Sequence, residues 1–436
     1  MIPQNHSICV QQLATARPSG RGLRGIAGTL LTAFLVSLCA GMALAQTSLT
    51  ALYDFRGVQG DGSHPVGDLS MDDQGVLYGV TTTQGGGGAK IYMLVPPAQN
   101  GGSWRKVTLY DGNAPGNTVH GNFTPVTLGK NGELYGVSQN CAGFPRIACI
   151  FQLAPPASSG GDWAMNVLSY QNNFEFGDGR ILPVAGKLAI DSNGNLYGVT
   201  HRHHHSTYGA IYQLSPPLTP GGAWTRNVLY NFQRFPLIGS FWEPQDGLAI
   251  DGNGALYGST LMAMNVAFQL APPATAGGPW SLTFIGGGAF LNLSALTVAP
   301  SGAVYGVGFV FDRGVSAIEF AQSSPGGGWT TSFLPASFHG GGPGWELVSD
   351  KNGVLYGTDM GGQIVYKLTP PAISGGDWAY SILHTFSGGD GADPFSRLLV
   401  DSQGDVFGAT LTGGSGTRCH NYPPRQAGCG TVFELQ

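Results

Sequence analysis

Charge is what this sequence has least of. Only 10% of its 436 residues are Asp, Glu, Lys or Arg, and the formal net charge is −5. It has no basic surface of the kind a phosphate backbone requires, so nucleic acid is not an expected partner. Cysteine is scarce as well, with 6 in the chain. The catalytic and cofactor signatures that can be read along a sequence are missing: no Gly-x-Ser-x-Gly elbow, no His-Glu-x-x-His and no phosphate loop. No cofactor is expected. Paired carboxylates stay open as an enzymatic possibility, because residues from distant segments meet only in space. Beyond the first 40 residues no apolar run approaches the ~18 residues of a membrane span. The sequence stops just after an apolar strand, so no C-terminal anchor is expected.

What it has in plenty is glycine, 71 residues, with 28 prolines. Without a period this would suggest disorder, but 42% of residues are hydrophobic and 11% aromatic, enough for a large core cut by frequent tight turns.

The N-terminus reads as an export signal. Arg17, Arg21 and Arg24 precede an apolar run from Ile26 to about Leu38, and Ala43-Leu44-Ala45 supplies small residues for cleavage. The expected division is a leader over 1–45 and one domain over 46–436, destined for periplasm or medium. A lipid anchor at Cys39 competes, against the bulk of Leu38 before it.

One unit recurs seven times. An apolar strand ends in Asp-x-x-Gly and runs into Leu-Tyr-Gly or a close variant, starting at Leu77, Leu134, Leu196, Leu256, Val304, Leu355 and Val406, at intervals of 48 to 62 residues. Asp bonds backbone amides and Gly takes the positive φ, so the turn joins strands A and B as a hairpin. Gly129 and Ala299 replace the Asp in two copies. After a variable loop an alternating strand C ends at Pro-Pro, and Gly-Gly-x-Trp leads to strand D. Six copies carry that tryptophan (Trp104, Trp163, Trp224, Trp280, Trp329 and Trp378), which points to packing between neighbouring units. The seventh copy stops after strand C. Its missing fourth strand is at the other end of the chain, where Ala51-Leu52-Tyr53-Asp54-Phe55 matches Val228-Leu229-Tyr230-Asn231-Phe232. The expectation is an all-β, seven-bladed β-propeller of four-stranded blades, closed by the N-terminal strand and monomeric.

The combination of Asp-x-x-Gly-x-Leu-Tyr-Gly, Pro-Pro, Gly-Gly-x-Trp and Leu-Tyr-x-Phe resembles the Gloeo/Verruco tandem-repeat family of bacterial exported proteins. The likeness covers essentially all of the expected mature chain. It implies export and no defined activity; members often carry a C-terminal surface anchor, which is not seen here. The A–B hairpin alone is similar to NHL and SMP-30-like propeller units, a weaker match.

In a propeller the D–A and B–C loops open on one face, and here these are the loops that vary, which is where function usually sits. Cys141 and Cys149 lie in the second B–C loop and Cys419 and Cys429 in the seventh. In an exported protein this reads as two local disulfides, with a catalytic thiol or metal site as the lesser alternative. The third B–C loop holds His201, His203, His204 and His205, more simply a solvated loop than a metal site because no carboxylate or cysteine accompanies them. Gly-Asp-Gly at Asp61, Asp178 and Asp390 offers too few oxygens for calcium and reads as turn chemistry. Four residues before each Asp of the A–B turn stand Asp68, Pro125, Lys187, Gly247, Ala295, Glu346 and Arg397, four of seven charged, with Asp246 one step earlier in the fourth copy. These should ring the channel mouth, as ion pairs or as a ligand pocket flanked by Trp242 and Trp345. The expected function is noncatalytic binding or scaffolding in the cell envelope or medium, with a glycan or protein ligand. The rival is a propeller enzyme of hydrolase, lyase or metal-dependent lactonase type with its site at the same mouth, an analogy of fold only.

Overall fold

The turn chemistry sets the architecture. In a computed structural model the described residues are 47–436 except 59, 83–88, 100, 142–147, 159, 172–185, 201–208, 220, 234–242, 262–264, 276, 288–289, 292, 311, 325, 336–345, 374–375 and 420–427. The side chains of several strand residues, Asp246 among them, are also outside the description. Seven antiparallel sheets follow one another along the chain, each a meander from an inner strand A to an outer strand D. Blade 1 comprises Pro65–Met71, Leu77–Thr81, Lys90–Val95 and Arg105–Asp111, and blade 3 comprises Ala189–Ile190, Leu196–Thr200, Ala210–Ser215 and Thr225–Asn231. The inner strand is split in blades 2, 5 and 7, so those sheets hold five short strands instead of the expected four. Register shifts at Val66/Ser70 and Gln245/Ala249 mark the same point in blades 1 and 4. Bulges of this kind bend a strand and re-aim its side chains.

Where the A–B turn has its aspartate, that residue holds it. Asp251 Oδ1 accepts from the amides of Asn253 and Ala255, both at 2.9 Å, and the Tyr257 hydroxyl donates to Oδ2 at 3.0 Å. The tyrosine of Leu-Tyr-Gly thus serves the turn before it. Where Ala299 replaces the Asp, Tyr305 donates to Glu319 instead, at 2.8 Å. The glycine of that triplet is needed for space: in blade 1 a Cβ on Gly79 would meet the buried ring of Tyr92 from strand C.

The tryptophans pack between blades, as their recurrence suggests. Tyr78–Trp163, Tyr135–Trp224, Tyr197–Trp280, Tyr257–Trp329 and Tyr305–Trp378 each join one blade to the next edge-on, with centroids 5.8 to 6.4 Å apart.

The ring closes on the N-terminal strand. Leu49–Asp54 pairs antiparallel with Thr431–Leu435, Leu49 opposite Leu435 and Asp54 opposite Thr431, and the Phe55 amide donates to the Gly430 carbonyl at 3.0 Å. The Asp54 carboxylate accepts from the Thr431 hydroxyl at 2.8 Å. Against blade 1 the seam is latched by Lys106, whose Nζ lies 5.7 to 6.0 Å from the ring centroids of Tyr53, Phe55 and Tyr92 and 3.4 Å from Asp61. The Tyr53 hydroxyl donates to the same carboxylate at 2.6 Å.

Candidate functional site

The inner strands meet at the axis through short links. Ser70 Oγ donates to the Val126 carbonyl at 2.7 Å and Thr127 Oγ1 to the Leu188 carbonyl at 2.5 Å, tying blades 1, 2 and 3. Gly247 sits so tightly on the blade 3 backbone that a Cβ would lie 2.8 Å from the Lys187 carbonyl oxygen.

Asp68 lies within strand A of blade 1 and is buried. Lys187, Glu346 and Arg397 stand just before the inner strands Ala189–Ile190, Leu347–Ser349 and Leu399–Val400 of blades 3, 6 and 7, each half-buried. The structure brings these four together. Lys187 Nζ donates to the Leu69 carbonyl at 3.3 Å, a reach from blade 3 to blade 1. Arg397 donates from a guanidinium nitrogen to Thr297 Oγ1 at 3.0 Å, from blade 7 to blade 5. Each cation therefore passes over the intervening blade. Burial lowers the pKa of the Lys187 ammonium; Asp68 and Glu346 act against that, and Arg397 adds to it. Lys187 thus feels charges from blades 1, 6 and 7, and the four groups form a cluster around it with formal signs alternating round the ring and summing to zero.

The remaining sequence candidates divide. The Asp246 backbone lies in strand A of blade 4, Glu243–Ile250, while its side chain, Trp242, Trp345 and the His201–His205 loop fall outside the described residues. Both disulfides are present, Cys141–Cys149 with Cα atoms 6.0 Å apart and Cys419–Cys429 at 5.2 Å. Such bridges belong to oxidising compartments. The Gly-Asp-Gly carboxylates at Asp61 and Asp390 do turn work. Asp61 accepts from the Arg56 amide at 2.7 Å, and Asp390 from the Ser387 amide and hydroxyl at 2.8 and 2.9 Å, with His384 Nε2 at 2.8 Å. Asp178 lies outside the described residues. Among the described residues no three His, Cys, Asp or Glu side chains gather as metal ligands, and no helix is long and apolar enough to cross a membrane.

What the sequence did not disclose are grooves on the blade flanks. One of about 960 Å³ lies between blades 2 and 3, floored by Trp224 and walled by Gln152 and Asn166. Its counterparts lie between blades 1 and 2, about 1000 Å³ beside Trp163, and between blades 5 and 6, about 1010 Å³ beside Trp378. The signal that could have found them was the tryptophan itself: it is half-buried at every one of these positions, so packing uses only part of it.

Sheets, closure and channel define a seven-bladed β-propeller. No protein-family model matches the sequence, and no curated protein matches it with significance. Among solved structures it is similar to virginiamycin B lyase from Staphylococcus aureus, at 12% identity and a TM-score of 0.48 over 89% of this chain and 99% of that one. It is also similar to the PQQ-bound aldose sugar dehydrogenase of Streptomyces coelicolor, at 13% identity and 0.44 over 90% and 98%. AofleA from Arthrobotrys oligospora follows at 11% and 0.40 over 77% and 89%. At identities this low the names of these proteins say nothing of this chain's chemistry.

Proposed function

We propose that the chain is an exported, noncatalytic binding propeller that meets a glycan or protein ligand at the mouth of its central channel, on the face of the D–A and B–C loops. The observation that carries this reading is the cluster of Asp68, Lys187, Glu346 and Arg397, charged groups of both signs brought together in a protein where charge is otherwise sparse. A floor with donors and acceptors but no net charge discriminates by hydrogen-bond pattern and not by overall charge. Trp242 and Trp345, in D–A loops by sequence position, would supply aromatic surface beside it. The two disulfides support an oxidising destination, and the blade motifs support a place among Gloeo/Verruco repeat proteins.

The test is a glycan and protein array probed with the mature protein and with Glu346→Gln, Arg397→Gln and Trp345→Ala. The reading predicts at least one signal that disappears in all three variants while their melting temperatures stay near that of the parent. Variants that keep every signal would place the ligand elsewhere and leave the cluster a brace across the channel.

A further inference from the structure

The flank grooves repeat in composition as well as in place. Each lies between strands C and D of one blade and the Pro-Pro/Gly-Gly-x-Trp linker of the next. On the wall of the grooves beside Trp224 and Trp378 stands a cross-strand pair, Gln152 opposite Asn166 in blade 2 and Glu319 opposite Ser332 in blade 5, and blades 3 and 4 carry pairs at the same register, Gln213 opposite Asn227 and Gln269 opposite Thr283. The outer members Asn166, Asn227, Thr283 and Ser332 are all exposed.

These pairs are held in orientation by the turn machinery beneath them. In blade 3 the Asn227 amide donates to Gln213 Oε1 at 3.4 Å, Gln213 Nε2 donates to the Tyr197 hydroxyl at 3.0 Å, and Tyr197 donates to Asp191 at 3.0 Å. Blade 2 repeats the upper part, Asn166 to Gln152 at 3.4 Å and Gln152 to Tyr135 at 3.2 Å. In blade 5 Ser332 and Tyr305 both donate to the Glu319 carboxylate, at 2.8 Å each. The chain of bonds ends at an exposed polar group beside a half-buried indole, Trp224 in the groove from blade 2 to 3 and Trp378 in that from 5 to 6.

We infer that the grooves beside Trp224 and Trp378, together with the equivalent positions beside Trp280 and Trp329 between them, are a row of subsites for a neutral polysaccharide. The uncovered part of a half-buried indole offers an apolar platform for the C–H face of a sugar ring, and oriented amide, hydroxyl and carboxylate groups at its edge suit sugar hydroxyls. The grooves beside Trp224 and Trp378 each mix signs, Lys130 with Glu133 in one and Arg313 with Glu319 in the other, so a polyanion or polycation meets like charge in both. A repeated site also matches a repeated ligand, because linked weak contacts multiply. The groove between blades 1 and 2 has a similar volume but an apolar wall pair, Met93 opposite Val107, and is left out of the row. This inference is independent of the channel mouth, since the wall residues lie on the outer flanks of the blades and none belongs to the charged cluster.

The test is native electrophoresis of the full mature chain through gels containing a neutral β-glucan, galactomannan or xylan. At least one gel should retard the parent protein. Asn166→Ala or Asn227→Ala alone should weaken that retardation by about fivefold. Asn166→Ala, Asn227→Ala, Thr283→Ala and Ser332→Ala together should weaken it by about 100-fold or more, because linked sites are lost together. These side chains are exposed, so the quadruple variant should melt near the parent temperature. Addition of a short oligosaccharide of the retarding polymer should shift parent tryptophan emission and leave the quadruple variant unchanged. No retardation in any of the three gels, or equal retardation of parent and quadruple variant, overturns the inference.

Discussion

The inner rim and the outer flank of this propeller use opposite logic. At the rim, equivalent positions carry Asp68, Lys187, Glu346 and Arg397 in four blades and uncharged residues in the other three, and the cations reach across a whole blade to find their partners. On the flank, neighbouring blades present the same tryptophan and the same kind of polar pair, and every bond stays within one blade or its immediate neighbour. The rim therefore exists only when the whole ring is closed, whereas a flank groove needs just two adjacent blades. Variation between equivalent positions is thus no sure guide to function, nor constancy to mere packing.

The most damaging way to break this comparison is to open the ring. Deleting residues 47–55 removes the outer strand of blade 7, with Leu52 and Phe55 buried in the seam. Loss of two such side chains alone costs at least about 5 kcal/mol, close to the whole stability of an ordinary domain. The shortened protein should melt far lower and associate through its exposed edge, as seen by calorimetry and gel filtration. A monomer that melts like the parent would refute closure by this strand.

A smaller perturbation separates the two disulfides. Cys141–Cys149 joins strands B and C of one blade, while Cys419–Cys429 lies against the seam, with its Cys429 sulfur 2.9 Å from where a Cβ on Gly57 would stand. Chain entropy gives each bridge about 2–3 kcal/mol. Replacing both members of the Cys419–Cys429 pair by serine should lower the melting temperature more than replacing the Cys141–Cys149 pair, because only the former touches closure. Equal effects would show that the bridge acts on its own loop alone.

Smaller still is a change confined to one turn. Asp251→Ala strips two backbone amides and the Tyr257 hydroxyl of their acceptor, a loss of about 1–3 kcal/mol. Ala299 already occupies this position in blade 5, where the Gly302 amide still donates to the Ala299 carbonyl at 2.9 Å, so the effect should fall at the low end of that range in a denaturant titration.

Blade number, turn chemistry, the borrowed strand and both disulfides were legible because seven copies of one unit report on each other within a single sequence. The candidate charges could be named by counting back from each turn, but their braces could not. Which partner Lys187 or Arg397 finds depends on side-chain reach across a closed ring, and Leu69 and Thr297 carry no local signal of it. The split inner strands were equally hidden, since a bulge is a matter of pairing and leaves the apolar pattern intact. The Tyr257 to Asp251 bond was concealed differently: the tyrosine was visible in six of the seven copies but read as part of a strand.

The claim that four charges from distant blades act as one unit at one mouth is tested most directly by titrating Lys187, with its ammonium followed by NMR in the parent and in Asp68→Asn, Glu346→Gln and Arg397→Gln. Burial should hold its pKa below the ordinary lysine value. Removing either carboxylate takes away a charge that favours the ammonium and should lower the pKa further; removing the guanidinium takes away a like charge and should raise it. A Lys187 pKa at the ordinary value, or one that none of the three substitutions moves, would contradict the cluster and with it the proposed site.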